Sequence, residues 1–171
     1  MPKISTKENK NPYFLKREEL GLTRDQAYDL LESMPPERIE KIENERCVPH
    51  PDEVLLMAEK YNCPELCNYY CSHQCEIGIQ YVPEIKIKDL PSITLSMIAS
   101  LNSVQKSKDQ LIEIASDGAI TDEELEDFIK IQTKLEEISI AIESMQLLIE
   151  QMQSDGTINK EKYQKIVSKL K

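Results

Sequence analysis

The sequence of 171 residues has no tryptophan, two phenylalanines and only four glycines. So thin a supply of aromatic and turn residues argues against a β-sandwich or barrel, which needs many tight turns. No run of 18 or more apolar residues occurs, so no membrane span is expected. The opening MPKISTKENKNPYF has lysines but neither an apolar stretch nor a cleavage site, so no secretory signal is read and a cytoplasmic location is expected. In that reducing compartment ligation is a stronger reading of the five cysteines than a disulfide framework. Positive charge is short as well: 21 Lys and Arg stand against 31 Asp and Glu, a formal net charge of −10. That excludes a nonspecific coat on nucleic acid but leaves room for a small reading head with local positive charge. There is no Gly-rich phosphate loop, no GxSxG elbow, and only two histidines, His50 and His73, so no enzyme is expected.

What is present points to an all-α chain. The content is 40% hydrophobic and 30% charged, and four textures follow one another. Residues 1–11 are polar and read as a flexible arm. Residues 12–75 hold short helical patterns broken by Gly21, Pro35-Pro36, Pro49, Pro51 and Pro64. Residues 76–91, containing YVPEIKIKDLP, read as an extended connector whose Val82, Ile85, Ile87 and Leu90 lie on a neighbour. Residues 92–171 read as a long helical hairpin plus a short C-terminal helix, a three-helix coiled-coil region.

That last region repeats itself. SDGAITDEE at 116–124 returns as SDGTINKEK at 154–162. The first copy resembles the second half of a calcium-binding EF-hand loop, but Glu113 and Ala115 stand where the leading acidic ligands belong. A pair of helix-to-helix turns explains more: Gly118 and Gly156 suit a left-handed helix end, and Thr121 with Glu124 has capping-box spacing. Met97, Leu101, Val104, Leu111 and Ala115 form the apolar stripe of one helix. Leu125, Phe128, Leu135, Ile142, Met145, Ile149 and Met152 form that of the next, widened by Ile131, Ile138, Ala141 and Leu148. So broad a stripe needs more than one cover. A homodimer through residues 92–152 meets that need, and a monomeric three-helix bundle fits the same pattern. Eleven acidic residues between 113 and 150 face two lysines, whereas the tail from 157 has five lysines and one glutamate, which suits neutralisation of the acidic hairpin.

Residues 12–62 carry an ordered set of motifs. A basic helix with Lys16 and Arg17 ends in Leu20-Gly21-Leu22-Thr23. Ile39, Ile42, Glu43 and Asn44 follow in a later helix, and then Pro49, Leu55, Leu56, Ala58 and Tyr61. In these motifs the stretch resembles the phage-repressor (Cro-like, XRE-type) helix-turn-helix family. The resemblance implies a five-helix head, double-stranded DNA as partner, and a dimeric repressor reading two half-sites. It implies that Thr23 and Arg24 meet phosphate at a helix N-terminus, and that Glu37, Arg38 and Lys41 lie on the reading face. Arg38 would address guanine, and Lys41 and Arg46 phosphate. Ala27, Leu30, Leu31, Ile39, Ile42, Leu55, Leu56 and Ala58 recur at helical spacing and are expected to close the core. Glu37 and Glu40 face outward in that arrangement, and residues 1–62 hold ten basic against thirteen acidic residues. A second function therefore stands beside the first, a protein-interaction module on a helix-turn-helix scaffold.

The stretch CPELCNYYCSHQC places Cys63, Cys67, Cys71 and Cys75 four apart, with His73 among them. On one straight helix Cys63 and Cys75 would be about 18 Å apart, too far to share an ion. A helix starting at Pro64 and turning away at Ser72-His73-Gln74 brings them nearer. Zinc in a Cys₄ or Cys₃His set is then the first ligation reading and an iron–sulfur cluster the second. Equally open is that no cofactor binds and the thiols pack the last helix of the head.

Overall fold

The computed structural model describes residues 10–114, 116 and 118–170, and among them the fold is all-α, with ten helices and no strand. None of these helices is long and apolar enough to cross a membrane. Contacts divide the chain into two compact units, one built on residues up to Glu84 together with Ile149 onward, the other on Ile85–Leu148.

The first unit holds the five expected head helices. α1 (Pro12–Glu19) starts where Asn11 accepts the Phe14 N–H at 3.0 Å and Pro12 fills the first helical position. Asn11 was assigned to the flexible arm; it is buried, and its side-chain amide donates to the Ile42 carbonyl at 2.8 Å. The rest of that expected arm, residues 1–9, lies outside the described residues. α2 (Arg24–Leu31) opens with a reciprocal capping box: Thr23 Oγ1 accepts the Gln26 N–H, and Gln26 Oε1 accepts the Thr23 N–H. α3 (Pro36–Glu43), α4 (Pro51–Lys60) and α5 (Glu65–His73) each begin at or just after a proline, which supplies a helical φ and lacks only an N–H that would be unpaired there.

One core joins these helices. Tyr13 of α1, Ala27 and Leu31 of α2, Ile39 and Ile42 of α3, Val54, Met57 and Ala58 of α4, and Leu66 of α5 meet with Met34, Tyr61 and Cys63. Each large apolar side chain buried this way contributes roughly 1.5–3 kcal/mol. The turn between α2 and α3 is long because Met34 dips into this core, where only 1% of its surface is exposed. Leu55 departs from expectation, with 62% of its surface exposed. Val54, Met57, Ala58 and Tyr61 set the inward face of α4 at i, i+3, i+4 and i+7, and Leu55 falls one helical step off it.

After α5 the chain makes one turn of helix, α6 (Gly78–Tyr81), inside the segment expected to be extended. α6 sits so close to α5 that a Cβ on Gly78 would lie 2.1 Å from the Cys71 carbonyl oxygen. At the other end, Ile149 onward belongs to this unit and not with the hairpin. Gln151 Nε2 and Ser154 Oγ both donate to the Asn62 carbonyl, at 3.3 and 3.5 Å. The last helix, α10 (Lys160–Leu170), is capped by Asn159, which accepts the Lys162 N–H at 2.8 Å.

The second unit is a helical hairpin of α7 (Leu90–Lys106) and α8 (Lys108–Ile114) against α9 (Leu125–Ser154, of which residues to Leu148 belong here). The expected turn residues behave as read: Gly118 and Gly156 have φ of 75° and 81°, and the Thr121 N–H donates to Glu124 Oε2 at 2.9 Å. Ala115 and Asp117, which entered the stripe and calcium readings, lie outside the described residues. The stripes themselves are rotated from expectation. Ile93, Ser100, Ser107 and Ile114 are buried at intervals of seven, whereas Leu101 is half-exposed. On α9 the buried positions are Ile131, Ala141, Ser144 and Leu147, while Leu125, Leu135 and Ile142 stay exposed. Ser100, Ser107, Ala141 and Ser144 take the buried positions, and larger side chains are left flanking the seam. Gln110 to Asp127 at 2.9 Å and Lys134 to Ser107 at 3.3 Å fix the antiparallel register.

Candidate functional site

The candidate nucleic-acid face is carried by α2 and α3 with the turn after α3. Thr23 is exposed, so the first turn of α2 is open to solvent beside its cap. Arg24, next to it, does not project freely: its Nε donates to Glu43 Oε2 at 2.9 Å. Glu43 is 1% exposed and is the hub of the head, because Arg17 of α1 reaches the same carboxylate through both Nε and Nη2. Burial works to lower the pKa of Arg17, but the hydrogen bonds and charge of Glu43 outweigh it, and the guanidinium is held above its ordinary value. A third Arg17 donor, Nη1, goes to the Leu22 carbonyl at 2.6 Å, tying α1 to the loop before α2.

Arg38, the expected guanine reader, is held in a clamp. Its Nε and Nη2 donate to the two carboxylate oxygens of Glu53 at 2.7 and 2.6 Å. Nη1 meets Cys47 Sγ at 3.0 Å, and Nη2 also meets the Val48 carbonyl at 3.3 Å. Glu53 in turn accepts the His50 N–H at 2.6 Å, so one carboxylate caps α4 and anchors α3. Hydrogen bonds from Arg38 come first among the causes that hold Glu53 below its ordinary pKa; burial opposes them. Sequence reasoning missed Glu53. Its spacing from His50 was a cap signal in plain view, but the partner that matters lies 15 residues away.

Glu37 and Lys41 are exposed on the outer side of α3, as expected. Arg46, beyond the helix, is exposed and lies 3.7 Å from Glu40, an interaction of little energetic weight at that exposure. The face therefore offers Lys41 and Arg46 outward, together with Glu37, while Arg24 and Arg38 are engaged by carboxylates of the head.

The cysteines follow the helix break read from the sequence. α5 ends at His73, Gln74 leaves helical geometry at φ −127°, and Cys75 comes just after it, its N–H donating to the Tyr70 carbonyl at 3.0 Å. Cys63 is buried before the helix, and Cys67 packs against the core. Burial pushes the Cys63 thiol up to about 11 and also raises Cys67 and Cys71. His73 is turned elsewhere: it stacks on Tyr69 with ring centroids 4.7 Å apart, and its Nε2 lies 3.9 Å from Glu84. Among the described residues no three or more Cys, His, Asp or Glu side chains gather as a metal would need. Neither zinc nor an iron–sulfur cluster enters the function proposed below.

Compared with known proteins, the chain matches no family model, no curated protein and no solved structure.

Proposed function

We propose that the chain is a sequence-specific DNA-binding regulator, a repressor acting as a dimer on two half-sites, with α3 as its reading helix. The observation that carries this is the α2–α3 pair inside a five-helix head, with the capped start of α2 and the outer side of α3 both open to solvent. Helix N-terminal amides suit a phosphate, and a helix exposed along one side suits a major groove. Lys41 and Arg46 are the cations available to phosphate. Dimerisation through the hairpin region, residues 92–152, is supported by the apolar side chains that flank its seam in the open, among them Leu95, Ile98, Leu135 and Ile142.

Selection from a random duplex pool, followed by titration across salt, tests this reading. A recovered consensus with two half-sites is expected, and Lys41→Ala should lower the salt slope by about one while weakening all sequences alike. Failure to recover any sequence preference removes the reading.

One observation favours a second reading, a module that binds another protein. With Arg24 and Arg38 engaged by carboxylates, the outer side of α3 presents Glu37 and half-exposed Glu40, a face that repels a polyanion and suits a basic protein surface. The arms separate cleanly: under this reading Glu37→Lys abolishes partner binding, whereas under the first it strengthens DNA binding.

A further inference from the structure

The hairpin carries a groove of about 340 Å³ whose whole lining belongs to the second unit. Ile93, Ala99 and Ser100 form one wall, and Ile140, Ala141 and Ser144 the other. The volume falls in the range of small-ligand sites. The contact between Lys134 and Ser107 sets Ser100 of α7 opposite Ala141 of α9 in the antiparallel register. Glu137 lies one turn beyond Ala141, and Lys88 lies ahead of α7, beyond Ile93. Both line the groove, so they stand at its opposite ends.

Three polar groups there lack partners. Ser100 is only 9% exposed, and its hydroxyl makes no hydrogen bond among the described residues. Ser144, the other buried serine of the groove, is satisfied by its own helix, donating to the Ile140 carbonyl at 2.6 Å. Lys88 and Glu137 are exposed, and neither pairs with an opposite charge among the described residues. A buried hydroxyl costs free energy while it stays unpaired, so an occupant that is apolar throughout would leave that cost in place.

These groups define the chemistry of an occupant. A cationic end answers Glu137, an anionic end answers Lys88, and a donor or acceptor along the body answers Ser100. Ile93, Ala99, Ile140 and Ala141 supply apolar contact between the ends. From Ile93 to Ser100 the groove follows α7 for two turns, about 10 Å. An extended peptide covers that length in about three residues, at about 3.3 Å each. It has an ammonium and a carboxylate at its ends and amides between them, whereas a simple ω-amino acid offers Ser100 nothing.

We propose that this groove binds a short apolar peptide with both termini free, its ammonium at Glu137, its carboxylate at Lys88 and a backbone amide on the Ser100 hydroxyl. The site uses no residue of the α2–α3 face, and it stands whether or not that face reads DNA.

Calorimetric titration of the full chain with alanyl-leucyl-alanine tests it, beside the same probe acetylated at its amino end or amidated at its carboxyl end. Wild type should bind the free probe with a Kd of about 1 mM or tighter. Glu137→Gln and the acetyl cap should each weaken binding by about three- to fivefold. Combined, they should cost no more than either alone, because both remove the same contact. Lys88→Gln and the amide cap should behave as a second such pair. Ser100→Ala should weaken binding while keeping the preference for free termini. Lys88 and Glu137 are at the surface, so their variants keep the fold. Losses from cap and variant that add would place the probe elsewhere and overturn the proposal. Absence of binding at about 10 mM probe overturns it as well, including where another part of the chain fills the groove.

Discussion

Arg17 of α1 and Glu43 of α3, 26 residues apart, form a two-pronged ion pair inside the head, with Glu43 1% exposed. Arg17 and Arg24 both donate to this buried carboxylate and offset the cost of burying its charge. Glu43→Ala should therefore cost about 3–5 kcal/mol in a urea titration, because Arg17 is left buried without its counter-ion. Arg17→Met with Glu43→Leu should cost much less than either single change. A loss in the double variant equal to the sum of the singles would mean that the pair contributes by packing alone.

The clamp between Arg38 and Glu53 predicts a pH dependence. Glu53 is held below its ordinary value of 4.5, so its contribution is complete above that pH and is lost as pH falls through the lowered value. At pH 7 Arg38→Ala should destabilise the head by about 1 kcal/mol, since the pair is partly exposed. The gap to wild type should close once acid protonates Glu53. A gap unchanged by acid, measured by thermal melts down the pH scale, would remove the pair from the account. Because Arg38 supports the fold, DNA-binding losses in this variant have to be corrected for stability.

Gly78 and Gly21 make a matched pair. Gly78→Ala drives a methyl into the Cys71 carbonyl and should displace α6, costing about 1–3 kcal/mol. Gly21 has open space around it and φ of 68°, so Gly21→Ala carries only the left-handed backbone penalty, about 1–2 kcal/mol. Hydrogen exchange distinguishes them, since only the first should free the amides of residues 78–82. Equal exchange in both variants would mean that α6 is not seated on α5.

The thiols should differ in reactivity. With its pKa near 11 and 6% exposure, Cys63 should resist iodoacetamide at pH 8 in the native protein and react on unfolding. Peptide mapping by mass spectrometry checks the order. A strong zinc chelator should leave helicity and melting temperature unchanged, because the donors do not converge. A drop in melting temperature on chelation would show that Cys63, Cys67, Cys71 and Cys75 do hold a metal.

Which positions could be read in advance depended on the range of the interaction. Helix starts at Pro12, Thr23, Pro36, Pro51 and Pro64 are written locally, because a cap or a proline acts on the next three or four residues of its own chain. So is the inward face of α2 and α3, where one apolar stripe stands out. One neighbouring position without such contrast was misassigned, Leu55 beside Val54. Nothing within a helix says that serine and alanine will take the seam.

What the amino-acid order determined alone was the all-α class, the five-helix head and the acidic hairpin with its basic tail, since propensity, periodicity and charge are properties of neighbours along the chain. Tertiary structure decided the rest. It spent Arg38 on Glu53, brought Arg17 and Arg24 to one buried carboxylate, turned His73 from the cysteines to Tyr69 and Glu84, and joined the end of α9 to the head through Asn62. These outcomes depend on which distant groups burial forces together, because a charge or donor removed from water takes the partner that geometry supplies.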